Sequence, residues 1–109
     1  MRAVVTGGRG FVGQHLGTHL RVQGDDVALL DHRGDDAVDI TDADAVQRWI
    51  GRIAPDVVYH LAARSHVGAS WNDEEAVHRV NVGGTANVLA AASAAGVSRI
   101  VVEIGRAHV

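Results

Sequence analysis

The hydrophobic positions of this chain fall into short continuous runs separated by longer stretches with helical spacing. Ala3-Val4-Val5 is an apolar run that breaks at Thr6-Gly7-Gly8, which predicts a buried strand. Phe11 to Gln23 follows with Val12, Leu16, His19 and Leu20 on one face and Gly24 at its end, the pattern of a helix. Val27-Ala28-Leu29-Leu30 predicts a second buried strand stopped by Asp31, and a shorter strand is expected near Ala37 to Ile40. Thr41 and Asp42 are N-cap candidates for a helix from about Ala43 to Ile53, with Val46, Trp49, Ile50 and Ile53 as its apolar stripe. Pro55 resets the chain, and Val57 to Leu61 predicts another strand. A long helix is expected from about Asp73 to Ala95, stopped by Gly96, and Arg99 to Val102 predicts a final strand.

This alternation places the chain in the α/β class. The expected architecture is a Rossmann-type doubly wound parallel sheet with helices on both faces. By analogy with such folds the strand order would be 3-2-1-4-5, with the chain stopping after the fifth strand. A length of 109 residues holds one small domain. With 47% hydrophobic and 21% charged residues the composition is that of a soluble globular protein. The net charge of -3 argues against a nucleic-acid or anionic-membrane partner held by bulk charge. All ten basic residues are Arg, which with the many Ala, Val, Gly and Asp reads as the codon bias of a GC-rich genome. The absence of Cys excludes a disulfide framework, a thiolate zinc site and a Cys nucleophile. No apolar run approaches the roughly 20 residues of a membrane span. Met1 to Val5 runs directly into a glycine loop, unlike a signal peptide, so the expected location is cytoplasmic.

The glycine loop carries the most chemistry. Glycines recur at Gly7, Gly10 and Gly13, between a predicted strand and a predicted helix. Gly7 would allow the tight turn out of the strand, Gly10 the close approach of a pyrophosphate, and Gly13 the close packing of helix on strand. The helix N-terminus, opening at Phe11 and Val12, would offer its unpaired N–H groups to the anion. Glycine loops also serve as plain turns. Here the strand before, the helix after and a second strand ending in an acid favour a dinucleotide site. A P-loop is disfavoured because its lysine is absent. Asp31 lies about 20 residues past the loop, where an acid bonds the adenosine ribose hydroxyls. Its charge would repel a 2′-phosphate and so favours NAD over NADP, although a strand-end turn residue would look the same. Arg33 or Arg9 could hold a 2′-phosphate, which leaves NADP open. Asp39 and Ile40 would line the adenine pocket or, as an equal reading, cap the next helix.

With these residues in view, the chain resembles the extended short-chain dehydrogenases/reductases, the NAD-dependent epimerase/dehydratase family. The resemblance rests on Gly7-x-x-Gly10-x-x-Gly13, on Asp39-Ile40-Thr41-Asp42, on Pro55 to Ala63 and on Asn81-Val82-Gly83-Gly84-Thr85. Ala63 to Trp71 is similar to the nucleotide-sugar branch. Ser70 to Asp73 and the compact Asp31 to Asp42 stretch are most similar to GDP-4-keto-6-deoxymannose reductases, with GDP-mannose dehydratases and UDP-glucose epimerases close behind. The resemblance implies hydride transfer through a 4-keto sugar, a nucleotide-sugar substrate and a homodimer for the full-length protein. It implies that Leu61, Ala62 and Ala63 lie along the cofactor and that Ser65, His66 and Val67 sit near the nicotinamide and sugar. His66 reads equally well as a loop histidine facing water. Asn81 falls on the apolar face with Val77, Val88 and Ala92. A buried Asn there must find partners, and the resemblance implies that it ties the long helix to the strand backbone, a structural role.

Other constellations carry less. His15 and His19 have the i, i+4 spacing of a metal pair but lack an acidic partner, so no metal site is expected. His60 lies inside a predicted strand and reads as a core residue; His32 would touch the adenosine end or sit in a turn. Asp73, Glu74 and Glu75 open a helix, where negative charge suits the dipole. Trp49 and Trp71 do not suggest a nucleic-acid stacking platform.

The family's Ser or Thr and its Tyr-x-x-x-Lys general acid/base pair have no counterpart here. Tyr59 is the sole tyrosine and no lysine exists, so no catalytic residue is assigned. The chain therefore reads as a fragment of an enzyme rather than as a complete non-catalytic NAD(P)-binding sensor or interaction module, which should cover both edges of its sheet. Glu103 to Val109 departs from the family pattern. It resembles the conceptual translation of a sequencing adapter (GAG ATC GGA AGA GCA CAC GTC, then a TGA stop). Residues 1–102 are thus expected to be the NAD(P)-binding domain, and 103–109 a non-native tail.

Overall fold

The computed structural model describes residues 1–34, 36–61 and 74–103 of the chain. Four strands, β1 (Arg2–Thr6), β2 (Asp26–Leu30), β3 (Val57–His60) and β4 (Arg99–Val102), form one sheet in the order β2-β1-β3-β4. All pairings are parallel, with Thr6 opposite Leu30 on one side and His60 on the other, and His60 opposite Val102. The carboxyl ends of β2, β1 and β3 are thereby level. Whatever follows Thr6, Leu30 and His60 emerges at one edge of the sheet.

The strands are apolar on both faces because helices cover both. Val4, Leu30 and Val58 pack with Val46, Trp49 and Ile50 of α2 (Ala43–Ile53) and with Val88, Ala91 and Ala92 of a later helix. Ala3, Val5 and Val57 face the other way, against Leu20 and Leu16 of α1 (Phe11–Val22). Asp42 caps α2 by accepting the Ala45 N–H at 3.2 Å. Ala54 ends the helix in the left-handed region (φ 51°), ahead of the buried Pro55.

Three expectations need correction. The strand near Ala37 to Ile40 does not form, so the sheet lacks the outermost member of the 3-2-1-4-5 order while the other four keep their relative places. The Val38 N–H reaches the carbonyl of Asp31, beyond the end of β2, at 2.8 Å. The segment thus crosses the strand end instead of running alongside it. The buried face of α1 is Gly13, Gly17 and Leu20, while Val12 and His19 are exposed. Small residues occupy the contact because this helix lies almost on the strand backbone. The long helix is not uniform. α3 (Glu74–His78) passes into a π-helical stretch, Arg79–Gly84, and then into α4 (Thr85–Ala94). The wide turn ends at Gly83-Gly84, where paired glycines make departure from α geometry less costly. At Gly84 the helix is close enough to Ile40 that a Cβ would lie 2.5 Å from its Cδ1.

Candidate functional site

The crevice lies at the carboxyl ends of the strands, where β1 sits between β2 and β3 and the chain turns to opposite sides of the sheet. In open α/β sheets this switch point is where ligands bind. A cavity of about 420 Å³ opens there, lined by Gly7 after β1, Asp31 after β2 and Leu61 after β3. Val38, Ile40 and Val80 form its apolar side; His32, Arg33, Asp39, Thr41 and Arg79 supply polar groups.

The glycine loop has the geometry its spacing requires. Gly7 takes φ 67°, turning the chain sharply out of β1. Its carbonyl accepts the Gly10 N–H at 3.1 Å. Gly10 is the N-cap of α1, and no side chain caps the helix there. Gly13 is buried with no room for a Cβ, which would strike the Gly7 carbonyl oxygen and stand 2.8 Å from Gly8 Cα. A Cβ at Gly10 would meet only the Gly7 oxygen at 3.3 Å and Arg33 Nη2 at 3.7 Å. The fold thus requires glycine at Gly13, whereas Gly10 keeps its outer surface clear. That is the space a pyrophosphate would need. Phe11 and Val12, the first residues of the helix, are 81% and 60% exposed.

Asp31 is 4% exposed, and both its oxygens are engaged. Oδ2 accepts the Arg9 backbone N–H at 3.0 Å and Arg33 Nη2 at 3.2 Å; Oδ1 accepts the Arg33 backbone N–H at 3.0 Å and Arg33 Nε at 2.9 Å. Burial alone would push the carboxyl's pKa up. The hydrogen bonds from the Arg33 side chain and from the Arg9 and Arg33 backbone outweigh it and hold the group below the ordinary carboxylate value.

Asp39 and Ile40 both line the cavity, and Asp39 does not cap the helix. Its Oδ1 accepts the Thr41 N–H at 2.9 Å and the Thr41 hydroxyl at 2.8 Å, leaving the cap to Asp42. These bonds hold its pKa low. Asn87 Nδ2 donates to the Ile40 carbonyl at 2.8 Å and so pins this wall to α4.

Behind Leu61 runs a buried polar chain. Thr6 Oγ1 lies 2.7 Å from His60 Nδ1, and His60 Nε2 lies 2.9 Å from Thr85 Oγ1. Thr6 Oγ1 also accepts the Leu61 N–H at 2.9 Å. One ring nitrogen donates and the other accepts, whichever tautomer forms. Burial pushes the His60 pKa down, so the neutral ring clamps β1, β3 and α4 together. His60 is the core residue its strand position suggested.

Asn81 is half-buried in the π-helical stretch, beside cavity-lining Arg79 and Val80. Ala62, Ala63, Ser65, His66 and Val67 lie outside the described residues, as do Ser70 to Asp73 and residues 104–109. Glu103 is described, and its N–H donates to the His60 carbonyl at 3.2 Å. Sequence reasoning missed Val38, Arg79 and Val80 as lining residues. Val38 stood in a predicted strand, and the wide turn that delivers Arg79 and Val80 has no periodic signature. His15 stacks edge-on against Phe11 with ring centres 4.5 Å apart. Among the described residues no cluster of three or more His, Asp or Glu comes together, and no helix is long and apolar enough to cross a membrane.

A parallel sheet with a glycine loop at its switch point, an uncapped helix start and a buried acid after β2 define a Rossmann-type dinucleotide-binding domain. Residues 3–103 match the NAD dependent epimerase/dehydratase family, and the chain belongs to that family. It is similar to the Thermus thermophilus UDP-glucose 4-epimerase solved with NAD, at 33% identity and a TM-score of 0.82, over 92% of this chain and 36% of that one. It is also similar to the Bacillus anthracis dTDP-4-dehydrorhamnose reductase solved with NADP, at 26% identity and a TM-score of 0.79, over 90% and 34% of the two chains. A 3 beta-hydroxysteroid dehydrogenase/Delta 5-->4-isomerase of Mycobacterium tuberculosis is 40% identical over 92% of this chain and 30% of its own length. The chain spans about a third of the length of the relatives it matches. Relatives thus bind NAD or NADP.

Proposed function

We propose that the chain is the nucleotide-binding part of an NAD(P)-dependent oxidoreductase, epimerase or dehydratase that acts on a nucleotide sugar through a 4-keto intermediate. The observation that carries the first half is the switch-point crevice with its cleared surface at Gly10 and buried carboxylate at Asp31. Gly7, Gly10, Phe11, Val12 and Gly13 would hold the pyrophosphate. Asp31 would meet the adenosine ribose, and Asp39, Ile40 and Val38 the adenine. Leu61 with Ala62 and Ala63 would continue along the cofactor. Ser65, His66 and Val67 would face nicotinamide and sugar, and Asn81 would hold the helix in place. The dinucleotide, when bound, supplies hydride transfer.

The negative charge at Asp31 supports NAD as the preferred cofactor. The nucleotide-sugar reading is supported by Ala63 to Trp71 and by the UDP-glucose 4-epimerases among the relatives. Those names favour a nucleotide sugar in general over a GDP-sugar in particular. The steroid dehydrogenase supplies the competing substrate class. The acid/base pair that this chain lacks would lie elsewhere in the full-length protein. The test is equilibrium titration of that protein with NAD, followed by turnover assays on UDP- and GDP-sugars and on a 3β-hydroxysteroid. NAD binding with sugar turnover is expected. Steroid turnover alone would overturn the substrate class, and absence of dinucleotide binding would overturn the whole reading.

A further inference from the structure

Arg79 lines the switch-point cavity, yet among the described residues it makes no hydrogen bond and no ion pair. It is the first residue of the π-helical stretch Arg79–Gly84. Wide turns of this kind interrupt α-helices frequently at functional positions. The stretch is anchored to the cavity wall. Gly84 abuts Ile40 with no room for a Cβ, and Val80 packs against the same core as Ile40 and Val38. One turn further on, Asn87 holds the Ile40 carbonyl. The Arg79 stem runs past Gly83, where a Cβ would stand 4.0 Å from its Cγ. An anchored turn thus carries an exposed, unpaired guanidinium to the cavity.

Its neighbours decide what such a guanidinium could receive. Val38, Ile40 and Val80 are apolar. Asp39 is a carboxylate that stays ionised: the Thr41 N–H and hydroxyl hold its pKa low, and the charges of His32 and Arg79 lower it further. A phosphate entering beside Val38 and Asp39 would lose water to apolar groups and meet a like charge. A neutral flat ring suffers neither penalty. We propose that Arg79 is a binding residue for the adenine base, with its guanidinium laid against the face of the purine. This rests on the dinucleotide reading above and adds to it a contact from the far side of the fold, since Arg79 belongs neither to the glycine loop nor to the segment after β2. The guanidinium is planar and weakly hydrated, so it stacks on aromatic faces where an ammonium acts only as a point charge. Stacking uses the face of the base and leaves its edge to other groups. The π-helical stretch then has a purpose: it aims Arg79 at the cavity while Gly84 keeps the helix tight on Ile40.

The experiment is titration of the full-length protein with NAD and with ADP-ribose at fixed salt, for wild type, Arg79→Ala, Arg79→Lys and Arg79→Tyr. Arg79→Ala should weaken both ligands by the same factor, about threefold to thirtyfold, because the contact is made to the adenine they share. Arg79→Tyr keeps a flat face and loses the charge, and it should bind better than Arg79→Ala. Arg79→Lys keeps the charge and loses the plane, and it should recover less than Arg79→Tyr does. Melting temperatures should match wild type throughout, since Arg79 is exposed. NAD affinity unchanged in Arg79→Ala would overturn the proposal and leave the dinucleotide site standing. A loss for NAD without a loss for ADP-ribose would also overturn it, as would rescue by lysine but not by tyrosine, which marks a contact to phosphate. An affinity loss that tracks a fall in melting temperature would reduce Arg79 to a structural residue. Failure of wild type to bind either ligand would overturn both readings.

Discussion

Two glycines of one loop should respond to the same added methyl group in opposite ways. At Gly13 a Cβ would collide with the Gly7 carbonyl oxygen and stand 2.8 Å from Gly8 Cα and 3.0 Å from the Gly7 carbonyl carbon. Carbon atoms pack comfortably at about 3.5–4.0 Å. The obstacles are backbone atoms of a tight turn, so α1 must back away from the strands, and Gly17 and Leu20 retreat with it. Overpacking of this kind costs about 1–3 kcal/mol, and the backbone character of the clash places Gly13→Ala at the upper end. At Gly10 the same methyl meets one oxygen at 3.3 Å, and the residue's φ of -76° suits any amino acid. The fold should lose no more than about 1 kcal/mol, chiefly because alanine is a poor N-cap. Yet the methyl fills the surface a pyrophosphate would occupy, so NAD affinity should fall by at least about tenfold. Denaturant unfolding and NAD titration of the two full-length variants separate the effects. Gly13→Ala with unchanged stability would refute the helix-on-turn contact. Gly10→Ala binding NAD as tightly as wild type would show that the loop is only a turn.

Thr85→Val removes the partner of His60 Nε2 and leaves a buried ring nitrogen unpaired, at a cost of about 1–3 kcal/mol by chemical denaturation. Because burial lowers the His60 pKa, the unfolded chain takes up a proton the folded one refuses. Stability should be greatest above the ordinary histidine value of about 6.5 and fall as pH drops through the folded value, a slope that His60→Gln should lack. The Asp31 pKa is also lowered, so its contribution is fully present above the ordinary carboxylate value of about 3.9 and lost as pH falls through the lower folded value. Asp31→Asn should flatten that acid limb in a pH series of melting curves. Asn87→Leu deletes the bond to the Ile40 carbonyl and should cost about 1 kcal/mol while weakening NAD binding, since Ile40 forms the cavity wall. Unaltered NAD affinity would show that this wall does not touch the cofactor.

Much of the fold was legible in the sequence because it depends on local rules. A run such as Ala3-Val4-Val5, stopped by glycine, is a buried strand wherever both faces are covered. The Val46, Trp49, Ile50 and Ile53 stripe marks α2 by its period alone. Gly7-x-x-Gly10-x-x-Gly13 between strand and helix marks a tight turn and a closely packed helix start through conformational freedom and missing Cβ atoms, which are properties of the residues themselves. The acid at Asp31 followed from its place at a strand end.

Tertiary structure decided what depends on neighbours distant in sequence or on choices among equal rotamers. Whether Ala37 to Ile40 joined the sheet turned on where the chain could bond. It bonds past the end of β2, so Val38 and Ile40 became cavity wall instead of strand. The face that α1 presents was chosen by its closeness to the sheet, which admits Gly13 and Gly17 and turns the larger Val12 outward. The wide helical turn that sets Arg79 and Val80 at the cavity leaves no mark in the hydrophobic pattern. Above all, the pattern Asp31-His32-Arg33 states that an acid and a base are near each other. It does not state that one is buried and fixed while the other lies half in water and folds over it. That pairing arises from the packing of β2 against the glycine loop.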